Sequence, residues 1–171
     1  MNRRDVLAGL GSVGVLGTSA VVYSRFQADG DVDPVTVETL EAPGSEAGET
    51  TVPEAGRVTF LEVFATWCST CRGMMSTLQE VHERTDDVHF LSVSNEPLGA
   101  TVDRTDVVEW WRAHDGSWTV GVDADLVLTS ELDVRAVPAT FVFDEQNRIV
   151  NADTGTKSAD TLLEWIESAR V

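Results

Sequence analysis

Residues Val58 to His82 read VTFLEVFATWCSTCRGMMSTLQEVH, and this stretch decides the fold. The first seven residues, through Phe64, are apolar at nearly every position, which predicts a strand buried on both faces of a sheet. A helical pattern begins at Cys68, where apolar residues start to recur at helical spacing. The stretch therefore predicts a strand that runs through a short turn into a helix.

The two cysteines of the chain, Cys68 and Cys71, form a C-x-x-C motif at the start of this predicted helix. Unpaired N–H groups and the positive end of the helix dipole favour a thiolate at that position. The thiolate is both the nucleophile and the leaving group in disulfide exchange. We therefore predict that Cys68 is the exposed nucleophile and that Cys71, deeper in the first turn, resolves the mixed disulfide.

Other uses of a cysteine pair fit this sequence less well. A zinc site normally needs four nitrogen or sulfur ligands, and the chain has no second C-x-x-C and no closely spaced pair among its three histidines. Arg72 stands where a haem-attachment motif has histidine. A structural disulfide closing so small a loop gains little chain-entropy stabilisation. We expect no metal and no cofactor beyond the redox-active Cys68–Cys71 disulfide.

Two carboxylates are candidate proton-transfer groups. Glu62 interrupts the apolar strand six residues before Cys68, where a carboxylate is costly unless it is paired or protonated. It is either a buried acid with a raised pKa that exchanges protons with Cys71, or a strand-edge side chain that reaches solvent. Glu96 follows the next predicted strand, residues 88–93, at the end where sites collect in α/β sheets. It is a second candidate acid or a solvated loop residue.

Pro138 marks the start of a strand over residues 139–143. Proline has no N–H to donate to a ladder, so it must precede the strand, and the Val137–Pro138 bond is a candidate cis peptide. Trp67, just before the cysteines, is expected either to shield the site at the surface or to pack inside. The remaining pattern predicts a helix over 105–114 capped by Asp103 or Thr105, and a helix over 126–132. It also predicts strands over 118–122 and 148–151 and a last helix capped by Ser158.

The N-terminal part of the sequence predicts an export signal followed by a linker. Residues 1–28 place Arg3 and Arg4 before a weakly apolar run, which resembles a twin-arginine export signal, and an uncleaved anchor is the alternative. Residues 29–57 form an acidic linker with two weak strand patterns, either a hairpin or a disordered segment. Residues 58–171 form the main domain.

Charge excludes some classes of partner. The chain has 29 acidic and 12 basic residues and a net charge of −17. Such an excess of acid argues against binding nucleic acid or an anionic membrane surface. It predicts instead a surface solvated for high salt, where screening suppresses self-repulsion.

Two segments carry a resemblance to a known family: FATWCSTC at residues 64–71 and VPATF at residues 137–141. Together with the order of predicted elements, they resemble the thioredoxin superfamily, in particular its exported TlpA/ResA-like thiol–disulfide oxidoreductases. The resemblance covers about residues 35–171. It implies an α/β thioredoxin-like fold, with a central mixed sheet flanked by helices and an extra helix inserted before the cis-proline strand.

The resemblance also implies roles for residues. Cys68 is then the nucleophile and Cys71 the resolving thiol, and a substrate groove is formed by Trp67, Val137 and Pro138. Glu62 occupies the place of the buried aspartate of thioredoxins. Glu96 occupies the place of an active-site glutamate of the ResA type, and either carboxylate is a candidate to serve the cysteines.

We expect an exported, extracytoplasmic monomer, held at the cell membrane if its N-terminal segment is retained. Its partners are protein disulfide substrates and a membrane thiol electron donor. Reduction of disulfides is favoured over their formation, with cytochrome c maturation as a setting implied by the resemblance. The spacer Ser69-Thr70 lacks the proline common before the second cysteine, which leaves the direction of electron flow open. The alternative is a Sco-like copper-binding module on the same fold, which needs a histidine beside the two thiolates.

Overall fold

The computed structural model describes residues 32–99 and 102–170, so the predicted export signal lies outside the described residues. Seven strands form one sheet in the order β2-β1-β5-β4-β3-β6-β7. The strands are β1 (Val35–Thr39), β2 (Gly48–Val52), β3 (Val58–Phe64), β4 (Val88–Ser94), β5 (Thr119–Val122), β6 (Ala139–Phe143) and β7 (Ile149–Thr154). The helices are α1 (Ser69–Glu83), α2 (Arg104–Ala113), α3 (Val127–Glu131) and α4 (Ala159–Ser168).

β3 is an interior strand of the sheet, and all seven of its residues are buried, as its continuous apolar pattern predicts. It runs parallel to β4, which the chain reaches through α1, and antiparallel to β6. The crossover through α1 is the connection that a parallel pair requires. The sheet is therefore mixed and flanked by helices, as expected.

Each face of the sheet carries its own core. Even-numbered residues of β3, including Phe60 and Phe64, pack with α1, α2 and α4 residues in one cluster. Odd-numbered residues, including Leu61 and Val63, pack with α3 residues such as Leu128 in the other. Alternation along a strand thus places Glu62 on the α1 face.

Of the two alternatives for the segment before residue 53, the hairpin is formed, because β1 and β2 pair antiparallel over five residues each. β1 also pairs antiparallel with β5, so the hairpin adds two strands to the sheet. An ion pair ties β1 to α2: the Arg104 guanidinium donates to both carboxylate oxygens of Glu38, at 2.6 and 2.7 Å.

Several local predictions are confirmed. Asp103 caps α2 in a capping box with Asp106, and the Ser158 hydroxyl accepts the N–H of Thr161 at the start of α4. The Val137–Pro138 bond is cis, and a second cis bond, Val52–Pro53, was not predicted.

Within residues 32–99 and 102–170, no helix has the length and apolarity needed to cross a membrane.

The first prediction concerns salt. The residues after 28 hold a large excess of carboxylates over basic groups, so self-repulsion opposes the compact state at low ionic strength. We expect the melting temperature to rise by several degrees between 0.1 and 1 M KCl, over which the Debye length falls from about 10 to about 3 Å. Differential scanning calorimetry measures it, with an equal osmolality of sucrose as the control. An equal rise in sucrose and in KCl would contradict electrostatic screening as the cause.

Candidate active site

The cysteine pair lies where β3 meets α1. Cys68 is the N-cap residue of α1, and Cys71, in the first turn, is bonded to it in a disulfide. The backbone N–H of Cys71 donates to Sγ of Cys68 at 3.0 Å. This N–H is one of the groups that a helix N-terminus leaves unpaired, so the fold places a donor where negative charge would develop on Cys68.

Cys68 is less exposed than predicted. It is 6% exposed and Cys71 is fully buried, so the predicted order of accessibility holds although Cys68 is not an exposed residue. One reason is that its Sγ lies 3.8 Å from the carbonyl oxygen of Val137, on the loop before β6. Trp67, by contrast, is 74% exposed, which contradicts a packing role inside the protein. Its role in a substrate groove stays a prediction.

The cis-proline loop lies beside Cys68. Val137 and Pro138 directly precede β6, which pairs with β3 along almost its whole length. The Pro138 carbonyl oxygen accepts the N–H of Gly155 at 2.8 Å, which ties the loop to the segment after β7. The structure therefore places Val137 next to Cys68, with Pro138 and Trp67 adjacent to them along the chain.

Glu62 is fully buried, so the strand-edge alternative is wrong. Burial raises its pKa from 4.5 to about 7, and the nearby Ser92 hydroxyl offsets part of the rise. That hydroxyl lies outside hydrogen-bond geometry, since neither Glu62 oxygen has a partner within the described residues. A carboxyl group with this pKa exchanges protons near neutral pH, as a proton-transfer group must.

Glu96 is also buried, but its carboxylate is hydrogen-bonded. One oxygen accepts the backbone N–H of Thr66 at 2.6 Å and the other accepts the Thr66 hydroxyl at 2.9 Å. The Ser94 hydroxyl donates to the first of these oxygens at 3.2 Å. Glu96 thus anchors the loop between β3 and Cys68. It is not the solvated loop residue that the sequence allowed.

Four neighbours of the two acids were not identified from the sequence: Thr66, Ser92, Ser94 and Thr140. Ser92 and Thr140 stand opposite Glu62 on its two neighbouring strands. Thr66 binds Glu96, which is thirty residues away along the chain. A signal existed for Ser92 and Thr140, since these polar residues interrupt the apolar strands β4 and β6. Locating them beside Glu62 required the strand registers.

The histidines have partners elsewhere in the fold. His82 packs against Phe90 with ring centroids 5.1 Å apart, and a ring nitrogen of His89 lies 3.1 Å from the Thr50 hydroxyl. The His114 ring contacts the Trp110 carbonyl oxygen at 2.7 Å. In the described part of the chain, no three His, Cys, Asp or Glu residues are grouped so as to hold a metal ion.

A mixed sheet with a disulfide at a helix N-terminus, flanked by a cis-proline loop, defines a thioredoxin-like thiol–disulfide oxidoreductase. The comparison with family models agrees, because residues 30–164 match the Redoxin family. The chain belongs to the Redoxin family. The predicted fold and the resemblance to TlpA/ResA-like oxidoreductases are thereby confirmed.

Individual proteins show the same relationship. The sporulation thiol-disulfide oxidoreductase A of Bacillus subtilis is 22% identical, over 71% of this chain and 74% of that protein. The thiol:disulfide interchange protein DsbE of Yersinia pestis is 29% identical, over 66% of this chain but 56% of its own length. The crystal structure of StoA from Bacillus subtilis superposes with a TM-score of 0.67 and 19% identity, covering 80% of this chain and 98% of StoA.

The second prediction follows from the burial of Glu62. Its folded pKa of about 7 exceeds its ordinary value of 4.5, so the folded protein holds a proton that the unfolded chain releases between these pH values. The ionisation of Glu62 therefore has no effect on stability below about pH 4, and it lowers the free energy of unfolding by about 3 kcal/mol as pH rises from 4.5 to 7. We expect Glu62→Gln to stabilise the oxidised protein by that order at pH 8 and little at pH 4.

Urea unfolding at a series of pH values measures this difference. Glu109→Gln, at an exposed position of α2, is the control and should show no such pH-dependent gain. A stability difference between Glu62→Gln and the wild type that is the same at pH 4 and pH 8 would contradict the raised pKa.

Proposed function

We propose that this protein is an extracytoplasmic reductase of disulfides in exported proteins, and that it works through the Cys68–Cys71 dithiol. One observation carries the proposal: the Cys71 N–H donates to Sγ of Cys68 at the N-cap of α1. A donor fixed on this sulfur lowers the cost of its thiolate form. It makes Cys68 the attacking sulfur and leaves the fully buried Cys71 to act in the second step.

The reaction balances in two exchanges. The Cys68 thiolate attacks a target disulfide, forms a mixed disulfide and releases one target thiolate, which takes a proton. Cys71 then loses its thiol proton and attacks Sγ of Cys68. This forms the intramolecular disulfide and releases the second target thiolate. The target gains two electrons. A membrane dithiol protein supplies two further electrons to the Cys68–Cys71 disulfide and is itself oxidised to a disulfide.

The two acids take different parts in this proposal. Glu62 accepts the Cys71 proton, supported by its pKa of about 7, its burial and its place on the sheet face under α1. Glu96 is a positioning residue, because its oxygens are bound by Thr66 and Ser94. It holds the loop that orients Cys68.

Substrate binding is assigned to the surface around Cys68. The main chain of Val137 pairs with an extended segment of the target by strand addition, beside the sulfur that reacts. The exposed Trp67 ring covers the target disulfide from the other side. Both assignments are supported by the 3.8 Å approach of Val137 to Cys68 and by the 74% exposure of Trp67.

Export is supported by the twin arginines before an apolar run at the N-terminus. Apocytochrome c is the target class that the resemblance to TlpA/ResA-like proteins suggests, and the protein acts as a monomer. No observation favours the copper-binding alternative, because the partners of His82, His89 and His114 lie elsewhere.

The third prediction tests the direction of electron flow. We expect the reduction potential of the Cys68–Cys71 pair, measured in molar salt against glutathione or dithiothreitol buffers, to lie near that of thioredoxin, about −270 mV. A value near that of DsbA, about −120 mV, would make the protein an oxidant and reverse the proposed direction.

The fourth prediction tests the order of the two cysteines. A Cys71→Ser variant keeps the attacking sulfur but cannot resolve the mixed disulfide, so it should accumulate covalent complexes with protein substrates. Non-reducing gels of cell extracts, with and without dithiothreitol, detect them. Cys68→Ser is the matched control and should form at least tenfold fewer. Equal trapping by both variants would overturn the assignment of Cys68 as the nucleophile.

A further inference from the structure

A row of polar side chains crosses the middle of the sheet. Glu62 on β3 stands in register with Ser92 on β4 and with Thr140 on β6. Residues paired across strands point to the same face, so all three lie on the face covered by α1. Each of them is fully buried. β3 and its two neighbouring strands thus carry polar groups beside apolar residues of the same face, such as Phe60 and Val142.

Thr140 and Glu62 both carry polar atoms without hydrogen-bond partners in the described part of the chain. Within the described residues, neither oxygen of Glu62 nor Oγ1 of Thr140 has a hydrogen-bond partner. A buried polar group left in this way costs about 1–3 kcal/mol. Side chains directly opposite on antiparallel strands have Cβ atoms about 4.5–5.5 Å apart, a gap that a glutamate side chain spans by changing rotamer. Thr140 and Glu62 therefore face each other across the β3–β6 pair, each with a polar group that lacks a partner within the described residues.

Ser92, on the other side of Glu62, is held differently. Its hydroxyl oxygen accepts the indole N–H of the buried Trp118 at 3.0 Å. That contact restricts the directions in which the Ser92 hydroxyl can point. Thr140 Oγ1 has no hydrogen-bond partner within the described residues, so no hydrogen bond fixes the direction of its hydroxyl proton. A hydroxyl both donates and accepts, whereas an ionised carboxylate only accepts and a protonated carboxyl also donates.

We propose that Thr140 is a positioning residue for Glu62. Its hydroxyl donates to the Glu62 carboxylate when Glu62 is ionised and accepts from the carboxyl when Glu62 is protonated. In both states it holds the carboxyl under α1, where Cys71 lies. This inference rests on the proposed proton transfer between Glu62 and Cys71, and it explains why a threonine occupies a fully buried position in β6.

Other ionisable groups near this row are fixed by their own contacts. Cys71 on α1 faces the same side of the sheet. Asp153 stands in register with Thr140 on β7 and pairs with Lys157 at 3.1 Å. Glu96, beyond the end of β4, is bound by Thr66. A substitution at residue 140 leaves all of them in place, so a change in the titration of Glu62 reports on the Thr140 hydroxyl.

The fifth prediction compares Thr140→Val, which removes the hydroxyl, with Thr140→Ser, which keeps it. The titration is followed by carboxyl ¹³C NMR of glutamate-labelled protein in the oxidised state, where the cysteines do not titrate. The Glu62 signal is identified by its absence from the spectrum of Glu62→Gln. We expect Thr140→Val to raise the midpoint of this titration by about one pH unit, because the carboxylate loses its donor. Thr140→Ser should keep the wild-type midpoint.

Thr59→Val is the matched control. Thr59 is another fully buried threonine of the same sheet, and its hydroxyl accepts the Glu54 N–H away from Glu62. Its substitution should leave the Glu62 midpoint unchanged. An unchanged midpoint in Thr140→Val, or the same shift in Thr140→Ser and Thr59→Val, would overturn the role of Thr140.

The rate at which Cys71 resolves a mixed disulfide separates this inference from the proposed function. We expect Glu62→Gln to slow that step at least tenfold, and Thr140→Val to shift its pH dependence with the NMR midpoint. A normal rate in Glu62→Gln would overturn the proton transfer itself. A slow Glu62→Gln with a wild-type pH dependence in Thr140→Val would overturn the positioning role alone.

Discussion

The hydrogen bond from the Cys71 N–H to Sγ of Cys68 is the contact on which the site depends. It exists because β3 ends at Phe64 and α1 begins at Ser69, which leaves Cys68 at the N-cap. The position is held from both sides, since β3 is buried along its whole length and α1 buries residues such as Met75 and Leu78 against the sheet. The core therefore serves the chemistry by fixing one N–H group relative to one sulfur.

At Glu62, by contrast, the residue that serves the proposed chemistry lowers the stability of the fold. A carboxyl at the centre of the sheet opposes folding above neutral pH, and an apolar residue there would be more stable. Ser92 and Thr140 flank it, so three adjacent strands break the apolar pattern at the same level. Polar residues that lie together inside an apolar core depart from the ordinary rules of folding. Such departures are expected at functional sites, where stability is given up for reactivity.

The sequence predicted what depends on local pattern. The strand before Cys68, the helix after it and the caps Asp103 and Ser158 follow from spacing and residue type. The residue type marked the Val137–Pro138 bond only as a candidate cis peptide, which the structure then shows to be cis. Contacts set by strand register were not predicted, because register depends on the packing of segments far apart in the chain. The cross-strand neighbours of Glu62 and the hydrogen bond between Thr66 and Glu96 belong to this group, as does the pairing of β1 with β5.

The hydrogen-bond partners, and not the burial, distinguish the two acids. Both are buried, yet the Glu96 oxygens accept hydrogen bonds from Thr66 and Ser94, which fix the position of its carboxylate. Glu62 has no such donors within the described residues, so desolvation dominates and its charge is easily lost. A carboxylate held by donors suits the orientation of a loop, while one that gains and loses a proton near neutral pH suits the exchange of a proton with a thiol.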